Sequence, residues 1–182
     1  MPATLWQFDP THSRVGFAVR HLMVSKVRGE FAKWSGTFAF DPDRPEASTV
    51  AVDIDAASID TKEPQRDAHL RSGDFFDAEH FPTLTFRSTK VERAGAQRFS
   101  VAGDLTIRGV TRAVTLDVDY AGQVKDAWGG TRAGFSARTT IDRKEFGLVW
   151  NMVLEAGGLT VGDQVEIDIE IEAVRQADVK AA

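Results

Sequence analysis

The chain has no cysteine. That excludes disulfide staples, thiolate metal sites and cysteine nucleophiles. It leaves the compartment open, because a protein without cysteine is tolerated anywhere. No apolar run approaches the roughly 20 residues that a membrane-crossing helix needs. The first residues, MPATLWQFDPTHS, offer neither a basic start nor an apolar core ahead of a small-residue cleavage site, so they do not read as a leader. The expectation is therefore a cytoplasmic protein, or a periplasmic or secreted one whose leader has been removed. Basic charge is also short: 22 Lys and Arg stand against 27 Asp and Glu, a formal net charge of −5. Phosphate backbones select dense basic surfaces, so no nucleic-acid partner is expected. The glycine stretches WGGT (128–131) and EAGGLTVG (155–162) lack the lysine and following helix of a phosphate-binding loop.

What the sequence does have is alternation. Apolar and polar residues change places at period two, the mark of a half-buried strand, in about eight segments. SRVGFAVRH sets Val15, Phe17, Val19 and His21 on one face, and VEIDIEIEAV sets Val165, Ile167, Ile169 and Ile171 against four carboxylates. The others are EFAKWSGTFAF, with Gly36 expected as a bulge, TVAVDIDA, TLTFRSTKV, RFSVAGDLTIRG, RAVTLDVDYAG and RAGFSARTTI. Short connections imply antiparallel neighbours. A sheet with one apolar face has to cover it, and eight strands suit a closed antiparallel barrel. The inward set is almost free of charge, so the interior is either a core or a pocket for an apolar guest. The 131–141 strand carries Arg132 and Arg138 outward and is expected beside a strand with an acidic outer face, such as those bearing Asp117 and Asp119 or Glu166 to Glu172.

Two segments break the pattern. TKEPQRDAHLRSG reads as a short helix with Thr61 as N-cap and Gly73 as its stop, and DRKEFG reads as a single helical turn between Asp142 and Gly147. The chain is expected to be one domain over 1–182, ordered over about 4–175, with the polar tail RQADVKAA frayed.

The densest chemistry lies in RDAHLRSGDFFDAEHFPTLTF, residues 66–86. His69 and His80 have Asp67, Asp74, Asp77 and Glu79 around them, which is a ligand set that zinc or iron accepts. His69 has no second histidine one helical turn along, and the blander reading is histidines at helix ends and turns. Ser72, His69 and Asp74 are neighbours in sequence, yet no strand–turn–helix elbow surrounds the serine, and a polar helix end explains them better. Phe75, Phe76 and Phe81 fit no periodic face. They read as a plug for one barrel end, or as a gate over a lipid-filled bore. His21 lies on the apolar face of its strand, as a hydrogen-bonded core histidine or as an anchor for a ligand head group.

Longer blocks carry a resemblance. FDPTHSRVGFAVRHLMVSKVRGEF, WSGTFAFDP, RDAHLRSGDFFDAEHFPTLTFRST, GDLTIRGVTRAV, FSARTTIDRKEFGL and VGDQVEIDIEIEAV resemble, in order from about Trp6 to Val174, the YceI-like family. The resemblance implies an all-β fold: an extended lipocalin-like eight-stranded antiparallel barrel with one short lid helix and a second helical turn. It implies a long apolar guest, a polyisoprenoid, an isoprenoid quinone or a related lipid, held by a carrier, reservoir or sequestering protein. His69, Phe75, Phe76, His80, Phe81 and Pro82 match the family's lid motif, and His12, Ser13 and His21 its first-strand motif. No catalytic residue is carried over, and no cofactor or metal is expected. The alternative is a metal-dependent enzyme or stress protein using His69 and His80. Ligand contacts are expected from Phe17, Val19, His21, Phe31, Phe38, Val52, Ile54, Phe75, Phe76, Phe81, Phe86, Leu105, Phe135, Phe146, Trp150, Ile167 and Ile169. Head-group candidates are Arg20, Arg66 and Arg71. The expected partner is a small apolar lipid, with a homodimer left open.

Overall fold

The fold is described from a computed structural model covering residues 2–155 and 157–176. The tail positions expected to fray, 177–182, lie outside the described residues. Eleven strands form one antiparallel sheet: β1 (Thr4–Phe8), β2 (Arg14–His21), β3 (Ser25–Phe31), β4 (Trp34–Phe40), β5 (Thr49–Asp55), β6 (Ile59–Asp60), β7 (Thr83–Arg93), β8 (Arg98–Ile107), β9 (Val110–Lys125), β10 (Thr131–Asp142) and β11 (Val161–Arg175). The strand order runs β1-β4-β5-β7-β8-β9-β10-β11, and β11 pairs back onto β1, which closes the sheet into an eight-stranded barrel. Closure removes the free edges that an open sheet would expose.

Eleven segments fill eight positions because three strands are broken. β1 and β2 follow one another along β11, and β3 and β4 follow one another along β1 and β2. β5 pairs with β4, and β6 continues onto β3. The first break is a 3₁₀ turn (Pro10–His12) that Asp9 caps by accepting from the Thr11 amide. The second lies at Ala32–Lys33, where the Ala32 amide donates to the Ser58 carbonyl and the Lys33 carbonyl accepts from the Asp55 amide. Gly36, expected as a bulge, is not one: β4 and β5 keep unbroken register from Trp34↔Ile54 to Ala39↔Thr49. Its reason is close approach, since a Cβ there would lie 2.2 Å from the Ala51 carbonyl oxygen and 3.1 Å from the Phe8 ring.

The basic β10 lies between β9 and β11, as the charge pattern requires. Arg138 faces Asp119 at 3.5 Å, and Arg132 bonds Asp9, Asp126 and Glu172 at 2.8, 3.0 and 2.5 Å. The expected helix, α1 (Pro64–Arg71), starts two residues later than the Thr61 cap implies. Glu63 is the N-cap, and its carboxylate accepts from the Gln65 and Arg66 amides. Pro64 then takes the first helical position, where its missing N–H costs nothing. Thr61 is buried instead, and its amide and hydroxyl both donate to Asp67. Ser72, not Gly73, ends the helix, its hydroxyl donating to the His69 carbonyl at 2.6 Å. The second turn is 3₁₀ (Arg143–Phe146), with Asp142 as cap and Gly147 left-handed at φ 79°.

Candidate functional site

The two barrel ends are closed differently. At the β1 end, strand residues supply an aromatic floor. Phe40 meets Phe99, Tyr120 and Phe135 at centroid distances of 5.3, 4.9 and 5.1 Å, and Phe38 stacks on Phe8 at 4.8 Å. Trp6, Phe38, Phe40 and Phe99 are buried there. Such edge-on and offset ring contacts add specificity to a large apolar burial. At the other end sit α1, the 72–81 segment and the 143–150 segment.

Between the ends lies a cavity of about 440 Å³. Its walls are the inward positions of the alternating strands: Phe17 and Val19 from β2, Phe31 from β3, Val52 and Ile54 from β5, Phe86 from β7, Leu105 from β8, and Ile167 and Ile169 from β11. Many of these are only half-buried although they point inward, Phe17, Val19, Val52, Ile167 and Ile169 among them. In a filled core, side chains interdigitate at crystal-like density. Here the inner walls stay apart, so the barrel encloses space. Phe38 and Phe135 line the cavity from the floor, and Phe75, Phe76, Phe146 and Trp150 from the lid end.

The lid end is held by side chains turned onto backbone. Phe146 is 1% exposed and Phe75 is buried. Phe76 meets Phe31 edge-on at 5.7 Å, and Trp150 tilts over Phe75 at 5.4 Å. The His69 ring stands edge-on to both Phe75 and Trp150, at 5.0 and 4.7 Å, while its Nε2 lies 2.8 Å from Asp74. Arg108, in the β8–β9 turn, donates to the Phe75 carbonyl at 2.8 Å. Arg143 is 4% exposed and donates to the carbonyls of Gly162, Leu148, Trp150 and Val161. A buried guanidinium is costly unless its N–H groups find acceptors. Here it ties the 148–162 segment to the barrel, and burial lowers its pKa while Asp163 and Asp142 oppose the shift.

The guanidinium and imidazole groups that reach the cavity do so at this end, whereas Ser48 lines it from the floor and Thr139 from β10. Thr61, Arg66 and His69 come from α1 and its approach, and Arg20, His21 and Thr160 from the rim of β2 and β11. Arg66 spends Nε and Nη2 on the Thr61 hydroxyl and carbonyl, at 2.7 and 2.8 Å. Its Nη1 has no partner among the described residues.

A YceI-like domain model matches residues 6–173. The chain belongs to the YceI-like family. A UPF0312 protein of Pseudomonas fluorescens is 39% identical over 165 residues, covering 91% of this chain and 82% of that one. A Vibrio cholerae UPF0312 protein is 37% identical over the same length, covering 91% and 83%. Among solved structures, Burkholderia cenocepacia BcnA superimposes with a TM-score of 0.80 at 26% identity, covering 91% of this chain and 98% of that one. The Campylobacter jejuni YCEI protein gives 0.74 at 32%, covering 86% and 90%. A polyisoprenoid-binding domain from Saccharophagus degradans, implicated in plant cell wall breakdown, gives 0.66 at 16%, covering 95% and 99%, a likeness of fold.

Within this YceI-like barrel, two of the expected ligand and head-group residues, Phe81 and Arg71, stand apart from the cavity, and so does His80 of the lid motif. Phe81 is not in its wall: the ring packs on the β8–β9 turn, 2.8 Å from where a Gly109 Cβ would sit. Arg71 is not in the wall either, and neither is His80, whose Nδ1 lies 2.8 Å from Asp77. His69 and His80 therefore pair with different carboxylates. Among the described residues neither belongs to a group of three ligand atoms within 4.8 Å; the group that does form is Asp9, His12 and Glu172, and Arg132 already bonds both of its carboxylates. The Ser72 hydroxyl is turned to the His69 carbonyl, not to its ring, so the serine triad does not assemble. Sequence reading missed Arg143 and Arg108, because a lone arginine at a strand end looks like surface.

Proposed function

We propose that this barrel binds one long apolar or amphiphilic molecule in its bore, without catalysis, as a carrier, reservoir or sequestering protein. The observation that carries the reading is the unfilled interior: a cavity of about 440 Å³ whose inward aliphatic and aromatic side chains remain half-buried. That volume lies in the range of small-molecule sites, about 300–1,000 Å³. An apolar chain gains about 0.8 kcal/mol per buried methylene, so ten give about 8 kcal/mol gross before association and ordering costs are subtracted. Tight holding then needs no hydrogen bond along the chain. The cationic and imidazole groups of the lining gather at one end, which fits a guest with a single head group placed near Arg66, Thr61 and His69. The free Nη1 of Arg66 suits an oxygen-rich or anionic head. The family membership, and the polyisoprenoid named for one relative of like fold, favour an isoprenoid chain.

Native mass spectrometry of the purified protein, followed by organic extraction, tests this. A guest of a few hundred daltons that extracts into solvent, together with saturable binding of a fluorescent prenyl probe, is the expected result. A protein that carries no apolar guest and binds neither prenyl nor acyl probes would sink the reading.

A further inference from the structure

The outer surface at the lid end is unlike the rest of the barrel. Ten large hydrophobic residues are exposed among those described, and six of them sit on two loops there: Leu22, Met23 and Val24 between β2 and β3, and Met152, Val153 and Leu159 before β11. The loops are joined. The Leu22 amide donates to the Thr160 carbonyl at 2.9 Å, and Met23 Sδ lies 2.6 Å from where a Cβ on Gly158 would be. Each loop leads directly into the cavity wall, through His21 on one side and Thr160 and Val161 on the other.

The first loop also adopts an unfavourable backbone to present these side chains. Leu22 and Met23 are left-handed, at φ 51° and 62°, in a turn that the Val24 amide closes onto the His21 carbonyl. Turns with two left-handed central residues favour Asn-Gly. Two bulky apolar residues there are strained. Bare apolar tips at the entrance of an apolar bore have a ready occupant in a lipid surface. The charges beside them agree. Arg20 and Arg28 have no ion-pair partner among the described residues, and Lys26, bonded to Glu166 at 2.8 Å, stands between them. The nearby acids are Glu166, which feels Arg20 and Arg28 as well as Lys26, Glu155, on the second loop itself, and Asp163, which faces Lys144 at 3.2 Å.

We infer that the loops carrying Leu22, Met23 and Val24 and carrying Met152, Val153 and Leu159 form a membrane-docking rim, which seats this end of the barrel on an anionic lipid surface so that the guest passes without crossing water. The inference rests on the proposed apolar guest only for what docking achieves; docking itself is measured separately. A second copy of the chain fits the rim less well, since a stable dimer takes about 800 Å² and 20–30 residues from each side, and two loop tips present a handful.

The test is flotation of the full chain with vesicles of phosphatidylglycerol and phosphatidylcholine, and with phosphatidylcholine alone. Met23→Ser/Val24→Ser and Met152→Ser/Val153→Ser are the test variants, and Leu5→Ser, exposed at the opposite end, is the control. Each of the two double variants should partition about tenfold more weakly than wild type, since each removes two insertable apolar groups. Leu5→Ser should match wild type, and removing the anionic lipid should weaken binding. Prenyl-probe binding in solution, measured on the same proteins, should be unchanged, which separates loss of docking from loss of the bore. No vesicle binding by wild type, equal binding by the double variants, or a wild-type dimer that the double variants abolish while vesicle binding stays absent would each overturn the inference.

Discussion

Phe17 is inward, half-buried and in contact with the Phe31 ring at 5.7 Å, while Glu170, three positions along the partner strand from the Ile167 that faces it, is outward and bonded to Ser136. A carboxylate at Phe17 or Ile169 would enter an apolar bore with no counter-charge, and such a group is costly to both the fold and the guest. Phe17→Asp and Ile169→Asp should weaken prenyl-probe binding by about a hundredfold and lower Tm, whereas Glu170→Gln should change neither. Titration with thermal melts checks it, and normal binding by Phe17→Asp would show that the inward register of β2 is wrong. A second expectation concerns pH. The hydrogen bond to Asp9 raises the His12 pKa, and that to Asp77 raises His80. A raised folded-state pKa contributes stability that is complete below the unfolded value of 6.5 and is lost as pH rises through the folded value. Asp9 runs the other way: the His12 bond outweighs burial and takes it from 3.8 to about 2. Its contribution is present above its unfolded value and lost as pH falls toward the folded one. Tm should therefore slip slightly between about pH 6 and 8, and His12→Gln/His80→Gln should flatten that slope. A slope identical in the variant would assign the effect elsewhere.

The strands could be read from the sequence because each has one dry face and one wet face, and period two records that directly. Val165, Ile167, Ile169 and Ile171 line the cavity as the alternation requires. What it could not show is where long strands break. Ala32–Lys33 is set by a crossing backbone at Asp55–Ser58, and β1 and β6 hold only 5 and 2 residues, too few for a period to register. The helix cap was available in principle: proline prefers the first helical position, which makes Glu63, not Thr61, the cap. The lid's contacts were not available. Phe75, Phe76 and Phe81 look alike in sequence, and only the fold sends two into the bore and one onto Gly109. That division carries a prediction. Phe75→Ala/Phe76→Ala should raise the off-rate of a bound prenyl probe about tenfold with little change in on-rate, because the lost contacts exist in the closed, loaded state. Phe81→Ala should release the probe at close to the wild-type rate, and so should His69→Gln/His80→Gln. Stopped-flow displacement decides: fast release from the histidine variant alone would make this segment a polar site and end the lid reading.

At the scale of the whole barrel, the two ends impose a direction. The floor is a cluster of rings, Phe38, Phe40, Phe99, Tyr120 and Phe135, and the far end holds Arg66, Thr61, His69 and the rim residues Arg20 and His21. A guest with one polar head should therefore enter tail-first and end with its chain on Phe135 and its head beside Arg66. Bore length then sets chain length, and the head contact sets head type, independently of each other. Two substitutions separate the terms. Phe135→Ala removes a floor ring and lengthens the bore, so the best-bound member of a prenyl alcohol series should move to a longer chain. Arg66→Met keeps the packed stem and removes the charge, so it should weaken a prenyl phosphate by about tenfold, the scale of one charge-assisted hydrogen bond, while leaving the matching alcohol nearly unchanged. Competition against a fluorescent prenyl probe measures both. Should Phe75→Ala shift the chain-length optimum while Phe135→Ala does not, the guest lies the other way round. Equal losses for phosphate and alcohol in Arg66→Met would mean that Arg66 holds Thr61 and the lid in place and does not touch the head group.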